Sequence, residues 1–341
     1  MLLLIGLAVV STGVVWIGSG WLESSSEKLA AHYELPDMVQ GAVIVAVGSS
    51  FPELSAAVLS TLIHGEFELG VAAIVGSALF NILIIPALSV LVSRNGLTSN
   101  RDLVFKEAQF YMISVAVLLL TFSFAVIYNP VVTENENLIL GTLDRKLALI
   151  PLVMYAVYLF LQYQDSIEYR TENRPRDIKV AREWAFLAAS LLVILVGVEG
   201  LVRAAIQLGD VFDTPSFFWG ITVVAAGTSV PDAFVSIRAA RRGRSDTSLA
   251  NVLGSNVFDL LVAIPVGVLI AGAAVINYSI AAPLMAVLTL ATLLLFAMLR
   301  INLSLTISEA WILLVAYAAF IVWMALETFE VVNIVPGLPD I

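Results

Sequence analysis

The sequence predicts an all-α polytopic membrane protein, with ten transmembrane helices arranged as two inverted five-helix repeats. Three observations carry this reading. Of 341 residues, 60% are hydrophobic and 13% charged, against roughly 45–50% and about 25% in soluble domains. Ten stretches are long and apolar enough to cross a hydrocarbon core of about 30 Å as helix. The polar motifs of the first half return in the second at a nearly constant offset.

The spans are expected near residues 2–22, 39–62, 69–93, 103–127, 145–163, 183–208, 217–240, 248–272, 278–299 and 307–326. The first has neither a basic N-terminal region nor a small-residue cleavage site, so it reads as a span and not a signal peptide. Long unbroken apolar runs favour helices over a barrel, whose strands alternate over about ten residues. The net charge of -10 excludes a chain that follows a phosphate backbone. With no Cys and two His, disulfide, thiol, zinc and haem chemistry are unsupplied.

The basic residues orient the chain. With the N-terminus outside, the inner side holds Lys28, Arg94, Arg101, Lys106, Arg170, Arg174, Arg176, Lys179, Arg182, Arg238, Arg241, Arg242, Arg244 and Arg300. The outer side holds only Arg145, Lys146 and Arg203, so the count is 14 against 3. The positive-inside rule therefore places both termini outside. Acidic Glu66, Glu68, Glu134, Glu136, Asp210 and Asp213 fall outside and read as solvated surface.

Residues Gly41 to Leu54, GAVIVAVGSSFPEL, match Gly220 to Ala233, GITVVAAGTSVPDA, at an offset of 179. Residues Gly76 to Asn81, GSALFN, match Gly254 to Asp259, GSNVFD, at 178, and Pro86 and Pro265 follow at similar distances. The domain reading is residues 1–163 as the first repeat (spans 1–5), 164–182 as a short cytoplasmic linker, and 183–341 as the second repeat (spans 6–10). Five spans per repeat is an odd number, so the second copy lies upside down. That is the architecture of many secondary transporters, with the substrate site near the bilayer midplane.

Four spans carry polar groups at mid-depth. Proline removes a backbone donor and clashes with the preceding turn, so helix breaks are expected near 48–52 and 227–231. Ser49 and Glu53 are four apart, as are Thr228 and Asp232, Ser77 and Asn81, and Ser255 and Asp259. Residues four apart share a helix face. If the inverted copies pack together, Glu53, Asn81, Asp232 and Asp259 converge as an oxygen cage with three carboxylates. Acids in mid-membrane are costly and functional by default. An all-oxygen donor set suits hard cations such as Ca2+ or Na+ and disfavours copper and zinc. Three carboxylates cannot all stay ionised without cations, so a filled site switches more readily than an empty one. Glu199 and Arg203 read as a helix-surface ion pair, with gate lining the alternative. His64 reads as interfacial, and Arg241, Arg242 and Arg244 as a topology anchor.

These motifs resemble the alpha-repeats of the cation/calcium exchanger superfamily, most closely its prokaryotic-type sodium/calcium exchangers. The residues that carry the likeness are GSSFPEL at 48–54, GSALFN at 76–81, GTSVPDA at 227–233 and GSNVFD at 254–259. The resemblance implies a secondary antiporter, not an enzyme, that exchanges several Na+ for Ca2+ by alternating access. By likeness Glu53 and Asp232 are the central Ca2+ ligands, and Asn81 and Asp259 complete the ring. Ser49, Ser50, Ser77, Thr228, Ser229 and Ser255 help hold Na+. Spans 1 and 6 slide across the other eight as the gate. The resemblance further implies residence in the cell (inner or plasma) membrane, with no cofactor, no nucleic acid and no obligatory protein partner.

The chain also departs from the family pattern. Ser49 stands where Thr is common, and Ala78 replaces the usual Asn after Gly-Ser. Asp232 stands where many prokaryotic members have Glu. Asp at both 232 and 259 resembles the potassium-dependent branch, which leaves K+ co-transport open. The Gly-Asn-x-x-Glu signature of the proton/calcium branch is absent, which lowers H+ coupling. The linker is too short for a large regulatory domain. An intramembrane aspartyl enzyme would need a Gly-x-Gly-Asp signature, which the chain lacks. A passive channel would line its pore by subunit symmetry.

Overall fold

A computed structural model describes residues 1–33, 46–93, 96–101, 103–133, 138–168 and 178–335. The first part of the span expected at 39–62, the middle of the 164–182 linker, the chain after 335, and Arg94, Glu134, Glu136, Arg170, Arg174 and Arg176 lie outside these residues.

Among the described residues nine helices are long and apolar enough to cross a membrane. In the first half these include α1 (Leu2–His32), α4 (Phe67–Val92), α5 (Ala108–Tyr128) and α6 (Arg145–Glu168). The tenth expected place, span 2, holds two short helices, α2 (Ala46–Ser49) and α3 (Phe51–Leu62). The second half comprises α7 (Val180–Phe212), α8 (Ser216–Trp219), α9 (Ala225–Arg241), α10 (Ser245–Phe258), α11 (Ile264–Ala271), α12 (Tyr278–Asn302) and α13 (Ile307–Thr328). Helix α1 runs ten residues past the expected limit of 22. Residues 21–32 hold neither Gly nor Pro, and Lys28 Nζ meets Glu183 Oε2 on α7 at 3.2 Å.

The inversion is visible in which residues meet. Gly18 and Gly197 are repeat mates at offset 179. A Cβ on Gly18 would lie 2.8 Å from Ile194, and one on Gly197 would lie 2.8 Å from Val15. Together with Lys28–Glu183, these contacts run down α1 as they run up α7, so the two mates are antiparallel. The mates α4 and α10 are antiparallel too: Asn81 bonds Asn256, while Ser89 bonds Ser248. Small residues at the α1–α7 crossing let the backbones approach, as membrane helices commonly require.

Helix α4 is buried along nearly its whole length and forms the axis of the larger core with α5, α10, α12 and α13. Val15, Leu22, Ile194, Val198 and Leu201 of α1 and α7 pack separately against Ala56, Leu69, Ala73 and Val224. Short loop strands, absent from the helical expectation, staple the two ends. Leu97–Thr98 pairs with Ser304–Leu305 at one end, and Leu140–Asp144 pairs with Pro130–Val131 and Ala273–Asn277 at the other. The first end carries Lys28, Lys106, Arg182, Arg241 and Arg300, and is called the basic end below.

Span 2 is interrupted at Ser50, where α2 stops and α3 starts with Pro52 in its first turn. The break expected near 227–231 is absent, because α9 continues through Pro231. A π-helical turn at Gly220–Val224 precedes α9, and the Thr228 hydroxyl donates to the carbonyls of Val224 (3.1 Å) and Ala225 (3.2 Å). A second π turn, Asp259–Ala263, follows α10. It adds one residue to the second repeat, which restores the offset from 178 at Gly254 to 179 at Pro265.

Helix α13 starts with a capping box: the Glu309 amide donates to Thr306 Oγ1 at 3.4 Å, and the Thr306 amide to Glu309 Oε2 at 2.7 Å. Thr306→Ala should lower stability by about 0.5–2 kcal/mol. Thermal unfolding in detergent checks this, with transport per folded molecule unchanged.

Candidate functional site

Every candidate residue sits where the repeats cross. Ser49, Ser50, Glu53, Ser77, Asn81, Thr228, Ser229, Asp232, Ser255 and Asp259 are each at most 5% exposed. No polar group remains at that depth without a partner unless something compensates it.

The same bond recurs in each half. Ser77 Oγ donates to Glu53 Oε1 at 3.3 Å, and its mate Ser255 Oγ donates to Asp232 Oδ1 at 3.1 Å. The halves are then laced together. Ser77 and Ser229 hydroxyls are 2.7 Å apart, those of Ser49 and Ser255 are 3.2 Å apart, and Ser50 Oγ donates to the Ser255 carbonyl at 3.5 Å. Asn81 Nδ2 donates to Asp232 Oδ2 at 3.2 Å and to Asn256 Oδ1 at 3.0 Å. Thr228 differs from its mate Ser49, since its hydroxyl turns back to its own helix.

The two sides of the network are unequal. Asp232 accepts from Asn81, Ser255 and Asn251. Glu53 faces Asp259 and Asp232 electrostatically. Glu53 Oε2, Asn81 Oδ1 and both carboxylate oxygens of Asp259 are buried without a hydrogen-bond partner. None of the ion pairs among the described residues reaches these acids; they join Lys28 with Glu183, and His64 and Arg203 with Glu199. Four orphaned acceptor oxygens and no cationic side chain make a donor set for a hard cation.

The arrangement differs from the expectation in one respect. Among the described residues no three His, Cys, Asp or Glu side chains gather closely enough to hold one metal ion by themselves. Hydroxyls and an amide instead take up Glu53 Oε1 and both oxygens of Asp232.

Asn256, Asn251 and Ser236 belong to the network and were not among the expected site residues. Asn256 accepts from Asn81 and donates to the Ala78 carbonyl at 3.1 Å. Its signal was its place in GSNVFD, beside Ser255. Asn256→Ala should destabilise the protein by about 1–3 kcal/mol, because a buried acceptor and a buried amide donor lose their partners. Unfolding midpoints with and without Ca2+ read this, and the Ca2+-induced rise should shrink as Asn81 loses its anchor.

Near the end opposite the basic one, Arg203 Nε contacts Glu199 Oε1 at 2.6 Å, and His64 Nε2 lies 3.1 Å from the same oxygen. The expected pair on α7 is therefore joined by His64 from the end of α3, and this links the α1–α7 pair to the rest of the bundle.

Comparison with known proteins bears on this arrangement. The profile of the sodium/calcium exchanger protein family matches residues 3–164 and 182–326. An uncharacterized membrane protein of Methanocaldococcus jannaschii is 28% identical over 269 residues, which cover 78% of this chain and 82% of that one. The sodium/calcium exchanger MaX1 of Methanosarcina acetivorans is 22% identical over 291 residues, covering 75% of this chain and 80% of that one. A solved structure of the sodium-calcium exchanger NCX_Mj superposes with a TM-score of 0.63 at 24% identity, over 94% of this chain and 99% of that one.

Proposed function

The chain belongs to the sodium/calcium exchanger protein family, a family of multi-pass membrane transporters and not of enzymes, and on that premise we propose that it exchanges Na+ for Ca2+ through the one network at the repeat crossing. The observation that supports this reading most is the orphaned oxygens of Glu53, Asn81 and Asp259, in a network that holds three buried acids and, among the described residues, no buried Lys or Arg. Buried carboxylates repel one another and lose hydration. One Ca2+, or several Na+, relieves the same repulsion, so the two loads compete for one site. A bound ion completes its shell from serine hydroxyls, the Asn81 carbonyl oxygen and backbone carbonyls.

Alternating access then needs an element that moves past the site. Helices α1 and α7 are the candidates, since they pack on the bundle through their own small core and cross at Gly18, Gly197 and Gly200. The His64–Glu199 contact would have to part when the end opposite the basic one opens. The positive-inside rule assigns the basic end to the cytoplasm of the cell membrane. The gradient of Na+ drives the cycle with no cofactor.

The test is 45Ca2+ uptake into proteoliposomes, with Na+, K+ and H+ gradients imposed separately. Outward Na+ gradients should drive uptake that saturates with external Ca2+. Uptake indifferent to Na+ but driven by H+ would remove Na+ as the coupling ion, and uptake that also needs K+ would assign the chain to potassium-dependent exchange.

A further inference from the structure

The network has a tail on one side only. One turn from Asp232 toward the basic end, α9 carries Ser236; one turn from Ser255 in the same direction, α10 carries Asn251. Asn251 Nδ2 donates to Asp232 Oδ1 at 3.4 Å and to Ser236 Oγ at 3.1 Å. Further along, Ser248 Oγ donates to Ser89 Oγ at 3.3 Å. Ser236, Ser248 and Ser89 are buried.

Repeat symmetry would place the same groups on the opposite side. The mates of Ser236 and Asn251 are Ala57 and Ala73, and the mates of Ser248 and Ser89 are Gly70 and Val268. All four are buried. The packing there is close, since a Cβ on Gly70 would come within 3.1 Å of the Ala57 Cα. The nearest hydroxyls, Ser60 and Thr61, are spent on the Ala57 carbonyl of their own helix. One side of the network is therefore closely packed, with its hydroxyls turned to their own helix, while the other is lined by hydroxyls and an amide that bond between helices.

Helix stability does not account for that polar side, because alanine serves at the mates. Asn251 spends its amide on Asp232 and Ser236, and its Oδ1 accepts no hydrogen bond among the described residues. Glu23 on α1 lies within electrostatic reach of Asp232, with Glu27 and the exposed Arg238 beside it. An amide oxygen and a hydroxyl thus mark a path from Asp232 toward the basic end.

We propose that Ser236 and Asn251 form a second subsite for the transported hard cation, one turn outside the central network and present on the basic side alone. Resting on the exchange reading above, the subsite lets an ion trade water for protein oxygens in two stages on that side. On the other side dehydration occurs in one stage. The two faces therefore load by different routes although the central network is shared.

The cysteine-free chain permits a direct test. A single cysteine placed at exposed Val331 and labelled by an impermeant reagent reports the orientation in proteoliposomes. Half-saturating Ca2+ for Na+-driven flux is then measured at each face. Asn251→Ala and Ser236→Ala should each raise it about 10-fold more at the basic face than at the other, beyond any common shift that comes from loosening Asp232. Asn251→Asp, which keeps an oxygen in place, should restore most of the basic-face value. Equal shifts at both faces, or none at either, would overturn the subsite. An unmodified chain without Na+-driven flux would instead overturn the exchange reading itself.

Discussion

Glu53→Gln should leave the protein folded in the membrane and reduce Na+-driven Ca2+ uptake to about one hundredth of the unmodified rate or less. Partners that merely support a metal ligand already contribute ~10–100-fold, so loss of a ligand charge lies at or beyond that range. Glu53 Oε1 accepts from Ser77, and its Oε2 is orphaned. The amide keeps the shape and the serine contact but offers one oxygen and no charge. Folding should survive, because neutralising one of three buried acids removes repulsion from Asp259 and Asp232. Asp232→Asn should behave alike. Uptake in proteoliposomes is read beside the unfolding midpoint with and without Ca2+, since a ligand that binds only the folded state raises that midpoint. The unmodified protein should gain stability from Ca2+ and the variants should not. A Glu53→Gln protein transporting at more than a third of the normal rate would take Glu53 out of the site.

Gly76→Ala should be as damaging, by packing and not by charge. Helix α4 crosses the π turn before α9 at this glycine. An added Cβ would meet the Ile221 carbonyl, lie 2.9 Å from the Ile221 Cα and lie 2.7 Å from the Ala225 Cβ. Backbone atoms cannot rotate out of the way as a long side chain can. Overpacking of this kind costs about 1–3 kcal/mol, and the helices would also part beside Ser77, which holds both Glu53 and Ser229. A lower unfolding midpoint and lost uptake are expected together. Gly6→Ala is the control, because nothing lies within 4 Å of its Cβ position. It should leave uptake intact and the midpoint unchanged or raised, as Ala favours helix by up to about 1 kcal/mol over Gly. A Gly76→Ala protein as stable as Gly6→Ala would refute the tight crossing.

The candidate residues were legible because intramembrane acids are rare for an energetic reason. Glu53, Asp232 and Asp259 stand out against apolar neighbours whatever the fold, and their spacing from Ser49, Thr228 and Ser255 follows from helix geometry. The shape of span 7 was not legible. Pro231 predicts a break, but α9 continues through it, with a π turn just before the helix. Whether a helix adds such a turn depends on what it packs against, and here that is α4 at Gly76. Asn251 and Ser236 were passed over for a similar reason. An asparagine or serine in an apolar span is ordinary until its neighbours are known.

The amino-acid sequence by itself determined that the chain crosses a membrane about ten times, that its halves are copies, and that an odd number of spans turns one copy over. Each follows from local apolar length, internal repetition and parity, none of which needs a neighbour in space. Only the tertiary structure decided that hydroxyls and amides bond Glu53 and Asp232, that Glu53 and Asp259 retain orphaned oxygens while Asp232 is fully bonded, and that the polar tail runs toward one end alone. Those properties belong to contacts between helices far apart in the chain. A hydrogen bond such as Asn81 to Asp232 exists only once the inverted copies have packed.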